Sequence, residues 1–180
     1  MSIIQSTPAL LISILALVFT IFSFWWMNWR KGDLIVGPPR TFALAAQGEE
    51  GLLIIQLPLV FYNNGAAPQV VQNLRLKFEQ GDKKSTILNF NNTVSDIASG
   101  GERHWARQFA IEGRKTYSDI FVFQKTPGKF VPVQGQCNAI LDAKLYENMD
   151  WKTLLTFDLM IKGTRPFNQL LIYDNDSNTS

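Results

Sequence analysis

The sequence predicts an all-β domain, an antiparallel two-sheet Greek-key sandwich, preceded by one N-terminal transmembrane helix. Three observations carry this. The stretch PALLISILALVFTIFSFWWMNW, from Pro8 to Trp29, contains no charged residue, and about 20 apolar residues at ~1.5 Å each span the ~30 Å hydrocarbon core of a bilayer. Beyond it no segment sustains a 3.6-residue period; apolar side chains alternate instead, as in half-buried strands. Turn residues recur about every 8 to 15 positions, giving roughly seven to nine strands, and one connection is too long for a hairpin and suits a crossing between sheets. A small closed barrel is the alternative closure.

Of the 180 residues, the anchor takes about 30, and the remaining ~150 suit one domain with a full core. The expected organisation is a tail and transmembrane helix over 1–29, a linker over 30–40, the β-sandwich over 41–173 and a disordered tail over 174–180.

The helix reads as retained rather than cleaved. A signal peptide has a basic leader, a shorter apolar core and a small-residue exit. Here no Lys or Arg precedes the run, which ends in bulky aromatics. Trp25, Trp26 and Trp29 followed by Arg30 and Lys31 form a membrane-interface anchor, since indoles favour headgroup level and cations favour water. All 17 Lys and Arg follow the helix, with Arg30, Lys31 and Arg40 nearest. The positive-inside rule therefore places the domain in the cytoplasm at a plasma or inner membrane, with an extracytoplasmic domain as the alternative. Ala9, Ser13, Ala16, Thr20 and Ser23, spaced four, three, four and three apart, form one seam of small side chains. Such a seam lets a second helix approach closely. The expected partners are therefore the lipid bilayer and a protein partner, or a second copy of the chain, through this helix.

In GDLIVGPPR, from Gly32 to Arg40, two glycines and two prolines end the helix and make a short, stiff exit. LLIIQLPLVFY puts Leu53, Ile55, Leu57, Leu59 and Phe61 on one apolar face. Pro58 lacks a ladder donor, so this strand is expected at an edge or bulge unless that nitrogen points away from its neighbour. After Asn63-Asn64-Gly65, QVVQNLRLKF places Val70, Leu74, Leu76 and Phe78 on one face, with Gln72 out of phase; it reads as the antiparallel partner of the preceding strand. Gly81-Asp82-Lys83-Lys84 turns the chain into STILNF, with Leu88 and Phe90 in phase. Asn91 to Arg103 reads as the crossing loop. HWARQFAI places Trp105, Phe109 and Ile111 on one face, and YSDIFVFQK is a strand apolar on both sides. After an edge region over 125–135, NAILDAKLYEN sets Ala139, Leu141, Ala143 and Leu145 against Asp142 and Lys144. WKTLLTFDLMIKG follows across a short link with Trp151, Leu155, Phe157, Leu159 and Ile161 in phase, the second expected hairpin. NQLLIY adds a last short strand.

The run Phe61-Tyr62-Asn63-Asn64-Gly65-Ala66-Ala67-Pro68-Gln69-Val70-Val71 resembles the strand, Asn-x-Gly turn and strand of immunoglobulin-like modules in prokaryotic envelope proteins. In this the chain is similar to prokaryotic single-pass, membrane-anchored immunoglobulin-like β-sandwich proteins. The tryptophan and paired cysteines of antibody domains are missing, because Cys137 is the single cysteine. The resemblance implies a binding or structural role and transfers no site residue.

No catalytic, cofactor-binding or metal-binding set is expected. His104 is the single histidine, and Asp96, Ser99 and Glu102 near it lack nucleophile-elbow context; one His and one Cys do not make a zinc site. Asp174-Asn175-Asp176 lacks the glycine and terminal glutamate of a calcium loop. Gly100-Gly101 lacks the remainder of a phosphate loop. Glu49-Glu50, Lys83-Lys84 and Arg114-Lys115 read as solvated turns. Asn91-Asn92-Thr93 and two tail sequons match glycosylation acceptors, which matter only in a eukaryotic lumen. A net charge of +2 with interspersed signs gives no nucleic-acid footprint. Cys137 reads as a small packed side chain.

The expected function is a membrane-anchored, non-enzymatic β-sandwich module presenting a protein-binding surface, an accessory or scaffold subunit of a membrane complex. The strand from Leu52 to Tyr62 and the Asn91–Arg103 loop are the expected surface. The alternatives are a hydrolase or transferase with an unrecognised carboxylate site, and a sandwich binding a lipid or other apolar ligand at the bilayer surface.

Overall fold

The chain is mostly β, with one apolar α-helix on its N-terminal side. The computed structural model describes residues 7–46, 52–81, 84–98, 101–125, 132, 134–146, 149–162 and 169–175. Outside them lie residues 1–6, 47–51 with the Glu49-Glu50 pair, Asp82-Lys83, Ser99-Gly100, most of the 125–135 region, 147–148, 163–168 and 176–180 with the last sequon and part of the one before it.

Helix α1 runs Thr7–Asn28, and among the described residues it is the one helix long and apolar enough to cross a membrane. None of its apolar span is buried against the rest of the chain. It stops where Asn28 donates its side-chain amide back to the Phe24 carbonyl at 2.8 Å, competing with continued helix.

The strands are β1 Leu34–Val36, β2 Thr41–Ala46, β3 Leu53–Asn63, β4 Gln69–Gln80, β5 Lys84–Val94, β6 Arg103–Trp105, β7 Phe109–Ile111, β8 Thr116–Lys125, β9 Gly135–Leu145, β10 Trp151–Ile161 and β11 Leu171–Asp174. They belong to one antiparallel sheet in the order β10-β9-β4-β5-β8-β3-β2-β11, with β1 on β3, β6 on β5 and β7 on β4. Where the sequence predicts two sheets, the structure has one that curls into a half-barrel. Its two ends approach each other, since Asn175, after β11, donates to the Asp158 carbonyl of β10 at 2.9 Å; β10 also reaches across to the residue before β1, where Lys152 meets Asp33 at 2.9 Å.

The concave side is filled. Leu53, Ile55, Leu57, Leu59 and Phe61 are buried along β3 as the alternation predicts. They meet Leu74, Leu76, Phe78, Leu88, Phe121, Phe123, Leu141 and Leu159 from the other strands. Phe61 and Phe121 pack edge to face at 5.3 Å, the geometry favoured by ring quadrupoles. The ladder between β3 and β8 runs unbroken through Pro58, which faces Ile120. On its other side β3 is paired by β2 only through Gln56 and by β1 only from Phe61. The missing proline donor thus falls where no neighbour needs it.

Among the described residues, three bulges shift the alternation. Gln72 is an extra residue between Val71 and Asn73 opposite β9, so Val71 rather than Val70 is buried. Leu154 is extra in β10 opposite β9; it turns Trp151 to the outer face, where the Arg75 guanidinium stacks on its ring at 4.2 Å. Asn91 is extra in β5 opposite β8, and β5 continues to Val94, shortening the expected loop. A bulge inserts one residue and inverts which side chains face inward beyond it.

Two further expectations are corrected. β3 and β4 do not form a hairpin: β3 pairs with β1, β2 and β8, and β4 with β5, β7 and β9. Asn63-Asn64-Gly65 is a corner carrying the chain between the two halves of the sheet. HWARQFAI is two short strands, β6 and β7, and Trp105 is 82% exposed while Ile111 is buried: β6 pairs with the end of β5 and all three of its side chains are exposed. The β4–β5 and β9–β10 pairs do form antiparallel ladders, and β11 supplies the last strand against β2.

Candidate functional site

Among the described residues, a dense set of polar bonds forms a collar where the chain leaves α1 and meets the β3–β4 corner. It is built from the corner outward. Asn63, at the end of β3, is fully buried. Its Oδ1 accepts the Gly65 N–H at 2.9 Å, while its Nδ2 donates to the Ala67 carbonyl at 2.8 Å and to the Ile111 and Glu112 carbonyls at 3.2 and 3.3 Å. One amide side chain thus satisfies backbone groups of the corner and of the segment after β7, which would otherwise be buried unpaired.

The corner then grips the residues after the helix. The Arg30 carbonyl accepts from the Ala66 N–H at 2.7 Å and from Ala67 at 3.3 Å. The Arg30 guanidinium donates to the Asn64 carbonyl at 2.7 Å and stacks on Trp26, 4.5 Å from the ring centroid. Asn64 Oδ1 accepts the Asp33 N–H at 2.7 Å, and the Asn64 N–H donates to the Asp33 carbonyl at 3.2 Å. Gln69 donates its side-chain amide to the Gly32 carbonyl. Gly32 lies directly on Gly65, and Gly113 on the Ala66 carbonyl, so that a β-carbon at any of the three would occupy space already filled by backbone. From the far side, Arg114 reaches the Trp26 carbonyl at 3.4 Å. A flexible linker would show none of this; the exit is strapped down over 30–33.

The expected interface residues lie at this collar. Phe22, Trp25 and Trp26 pack on one another with ring centroids 6.0 to 6.3 Å apart, and Trp29 sits edge-on to Phe24 at 5.3 Å. Lys31 follows the strapped Arg30 and borders a cleft with Gly32 and Lys152. Along α1, Ala9, Ser13, Ala16 and Thr20 are exposed and Ser23 is half-buried. Ser13 donates to the Ala9 carbonyl at 2.8 Å and Thr20 to Ala16 at 2.7 Å, so both hydroxyls are satisfied within their own helix.

No family model matches this chain, and no curated protein matches it. Among solved structures it is similar to the sporulation control protein Spo0M from Bacillus subtilis, at 14% sequence identity and a TM-score of 0.37 over 73% of this chain and 50% of that one. The chain spans half the length of that protein, and at this TM-score the likeness carries no weight for fold or function.

The remaining candidates separate in space. His104 and Trp105 are exposed on β6, while Cys137 is buried in β9, and burial pushes its thiol up to about 12. Asp142 lies on the outer face of β9 yet is buried beneath its partners. Burial alone would raise its carboxyl, but hydrogen bonds from Thr153, Arg75 and Lys77 and the Lys77 charge outweigh that and hold it below the usual value. The Arg75 and Lys77 contacts measure 2.9 and 3.2 Å. Held by Thr153 on Oδ1 and by Arg75 and Lys77 on Oδ2, this carboxylate is a tie between β9, β4 and β10. The expected binding strand and loop do meet: the Ala98 N–H donates to the buried Gln56 side chain of β3 at 2.8 Å. Asn91, in the first sequon, is half-buried within β5.

Sequence reasoning named Trp26, Arg30 and Lys31 but missed that Asn63, Asn64 and Gln69, with the close-packed Gly32 and Gly113, build the collar beside them. The Asn-Asn-Gly corner was the available signal, and its reading as a local hairpin turn concealed that it closes over the helix exit.

Proposed function

We propose that this chain is a single-pass membrane protein whose helix holds a non-enzymatic β module against the bilayer, where it presents a protein-binding surface as an accessory or scaffold subunit. The observation carrying this reading is the collar: an apolar 22-residue helix with no buried face is joined to the module by bonded backbone. An apolar helix in the core of a water-soluble fold hides its surface; this one exposes it all round, as lipid requires. A strapped exit fixes the orientation of the module relative to the bilayer, which serves a binding surface and matters little to a freely diffusing enzyme.

Arg30, Lys31 and Arg40 on the module side favour a cytoplasmic domain at a plasma or inner membrane. The immunoglobulin-like, Greek-key sandwich reading draws support from the two four-strand halves, β10-β9-β4-β5 and β8-β3-β2-β11, folded over a shared core. Pairing of helices along Ala9, Ser13, Ala16, Thr20 and Ser23 rests on close backbone approach, since the Ser13 and Thr20 hydroxyls already have acceptors. On the module, the outer face of β3 with the 95–98 loop laid on it is the proposed partner surface.

The test is extraction of membranes with alkaline carbonate, followed by protease treatment of spheroplasts and of inverted vesicles. Retention in the carbonate pellet with digestion only in inverted vesicles is expected. Release into the supernatant would refute the anchor, and digestion in spheroplasts would place the module outside.

A further inference from the structure

We propose that the cleft at the foot of α1 binds the phosphate of an anionic phospholipid headgroup, with Lys31 and Lys152 as its cationic jaws. The inference rests on the membrane reading above and adds a ligand to it. The cleft has a volume of about 220 Å³, below the ~300–1,000 Å³ of pockets that enclose a drug-sized molecule. That suits a headgroup whose acyl chains stay in the bilayer. Pro68, Val70, Leu145 and Tyr146 line the cleft together with the two lysines. The Tyr146 side chain is 66% exposed although its backbone N–H is held by the Val70 carbonyl at 3.0 Å, an arrangement suited to an aromatic ring at headgroup level.

Position and charge agree. Lys31 follows the apolar run by two residues, which puts the cleft at the depth of lipid phosphates when α1 spans. Lys152 is held at the cleft by Asp33 at 2.9 Å. An ammonium carries three N–H donors, so that contact leaves Lys152 able to donate to a second anion. Lys31 and Lys152 are the charged residues lining the cleft, and Arg114 reaches the helix foot at the Trp26 carbonyl. Anionic lipid attracts such basic clusters at the surface; here the cations flank a concavity, which adds selection for one headgroup per chain.

The experiment uses the full chain extracted in a zwitterionic detergent, offered equimolar phosphatidylglycerol and phosphatidylcholine, with bound lipid counted by native mass spectrometry. One phosphatidylglycerol per chain is expected, preferred about tenfold. K31Q/K152Q reduces the preference to near parity, K31Q alone gives an intermediate value, and R103Q/R107Q, which removes two exposed cations from β6 and the segment after it, leaves it unchanged. Equal binding of the two lipids by the unaltered chain, or an undiminished preference in K31Q/K152Q, overturns the proposal. Displacement of the lipid by millimolar inorganic phosphate as readily as by phosphatidylglycerol would assign the cleft to free phosphate and overturn the lipid assignment. Carbonate extraction of the same cells separates the two readings: a chain kept in the pellet without lipid preference loses only the headgroup site, whereas a chain released by carbonate loses the anchor.

Discussion

Gly32 and Gly65 lie backbone against backbone, with no room for a β-carbon on either. They are far apart in sequence, one leaving the helix and the other closing the β3–β4 corner. Their contact lets the Asn64 side chain reach Asp33 and the Arg30 carbonyl reach Ala66. Helix and module are joined through this approach.

G32A and G65A are therefore expected to cost about 2–3 kcal/mol, the scale of a methyl forced into filled space. Thermal unfolding of the full chain in detergent measures it, and limited proteolysis should newly cut within 30–33. G37A is the contrast, since a β-carbon at Gly37 meets nothing; an equal loss in all three would refute the collar argument.

N63A should destabilise by about 2–4 kcal/mol, because it leaves the Gly65 N–H and several corner carbonyls without a partner in a buried setting. N63D is a sharper probe: it keeps the acceptor for Gly65 but replaces the donor aimed at Ala67, Ile111 and Glu112 with negative charge. Denaturant unfolding should rank N63D no better than N63A.

Asp142 ties β9 to β4 and β10. Its folded pKa is depressed, so its stabilising contribution is present above the unfolded carboxylate value near 3.9 and is lost as pH falls through the folded value. D142N should cost about 2–3 kcal/mol at neutral pH, below the full figure for a buried pair because Arg75 and Lys77 retain some solvent. The variant should also flatten the acid limb of stability against pH. An unchanged acid limb in D142N would exclude this carboxylate as its source.

Cys137 predicts the alkaline limb. Its folded thiol is pushed up to about 12 by burial, while an unfolded thiol ionises near 8.5. A raised folded pKa gives stability that is complete below the unfolded value and falls as pH rises, here by about 1.4 kcal/mol per pH unit above roughly 8.5. C137A should remove that slope at first. Tyr117, raised by burial and then by the Asp119 charge, and Tyr173, raised by burial, should restore a decline near pH 10 and above. Thiol labelling in the native state should proceed only as fast as the protein opens.

Much of the fold was legible where the physics is local. The alternation in β3, β9 and the later half of β10 marked the buried side correctly, because period two follows from strand geometry alone. It failed at Val70, Trp151 and Trp105. Bulges at Gln72 and Leu154 invert the phase, and the short β6, exposed on both faces at the end of β5, leaves Trp105 in solvent. None of these has a local signature, since each depends on which strand lies opposite. The collar was half legible: Trp26, Arg30 and Lys31 were visible as a helix end, and Asn63-Asn64-Gly65 as a turn, but nothing in the order of residues says that the two touch.

The sequence by itself determined that an uncharged run from Pro8 to Trp29 precedes a β-rich chain, because hydrophobic length and side-chain alternation are properties of consecutive residues. Only the tertiary structure decided that the strands make one curled sheet, that β3 and β4 part company at their shared corner, and that the helix exit is bound into that corner. Each of these depends on long-range hydrogen bonding, where a strand edge takes the partner that best satisfies its buried donors and acceptors, and the nearest strand in sequence does not always win.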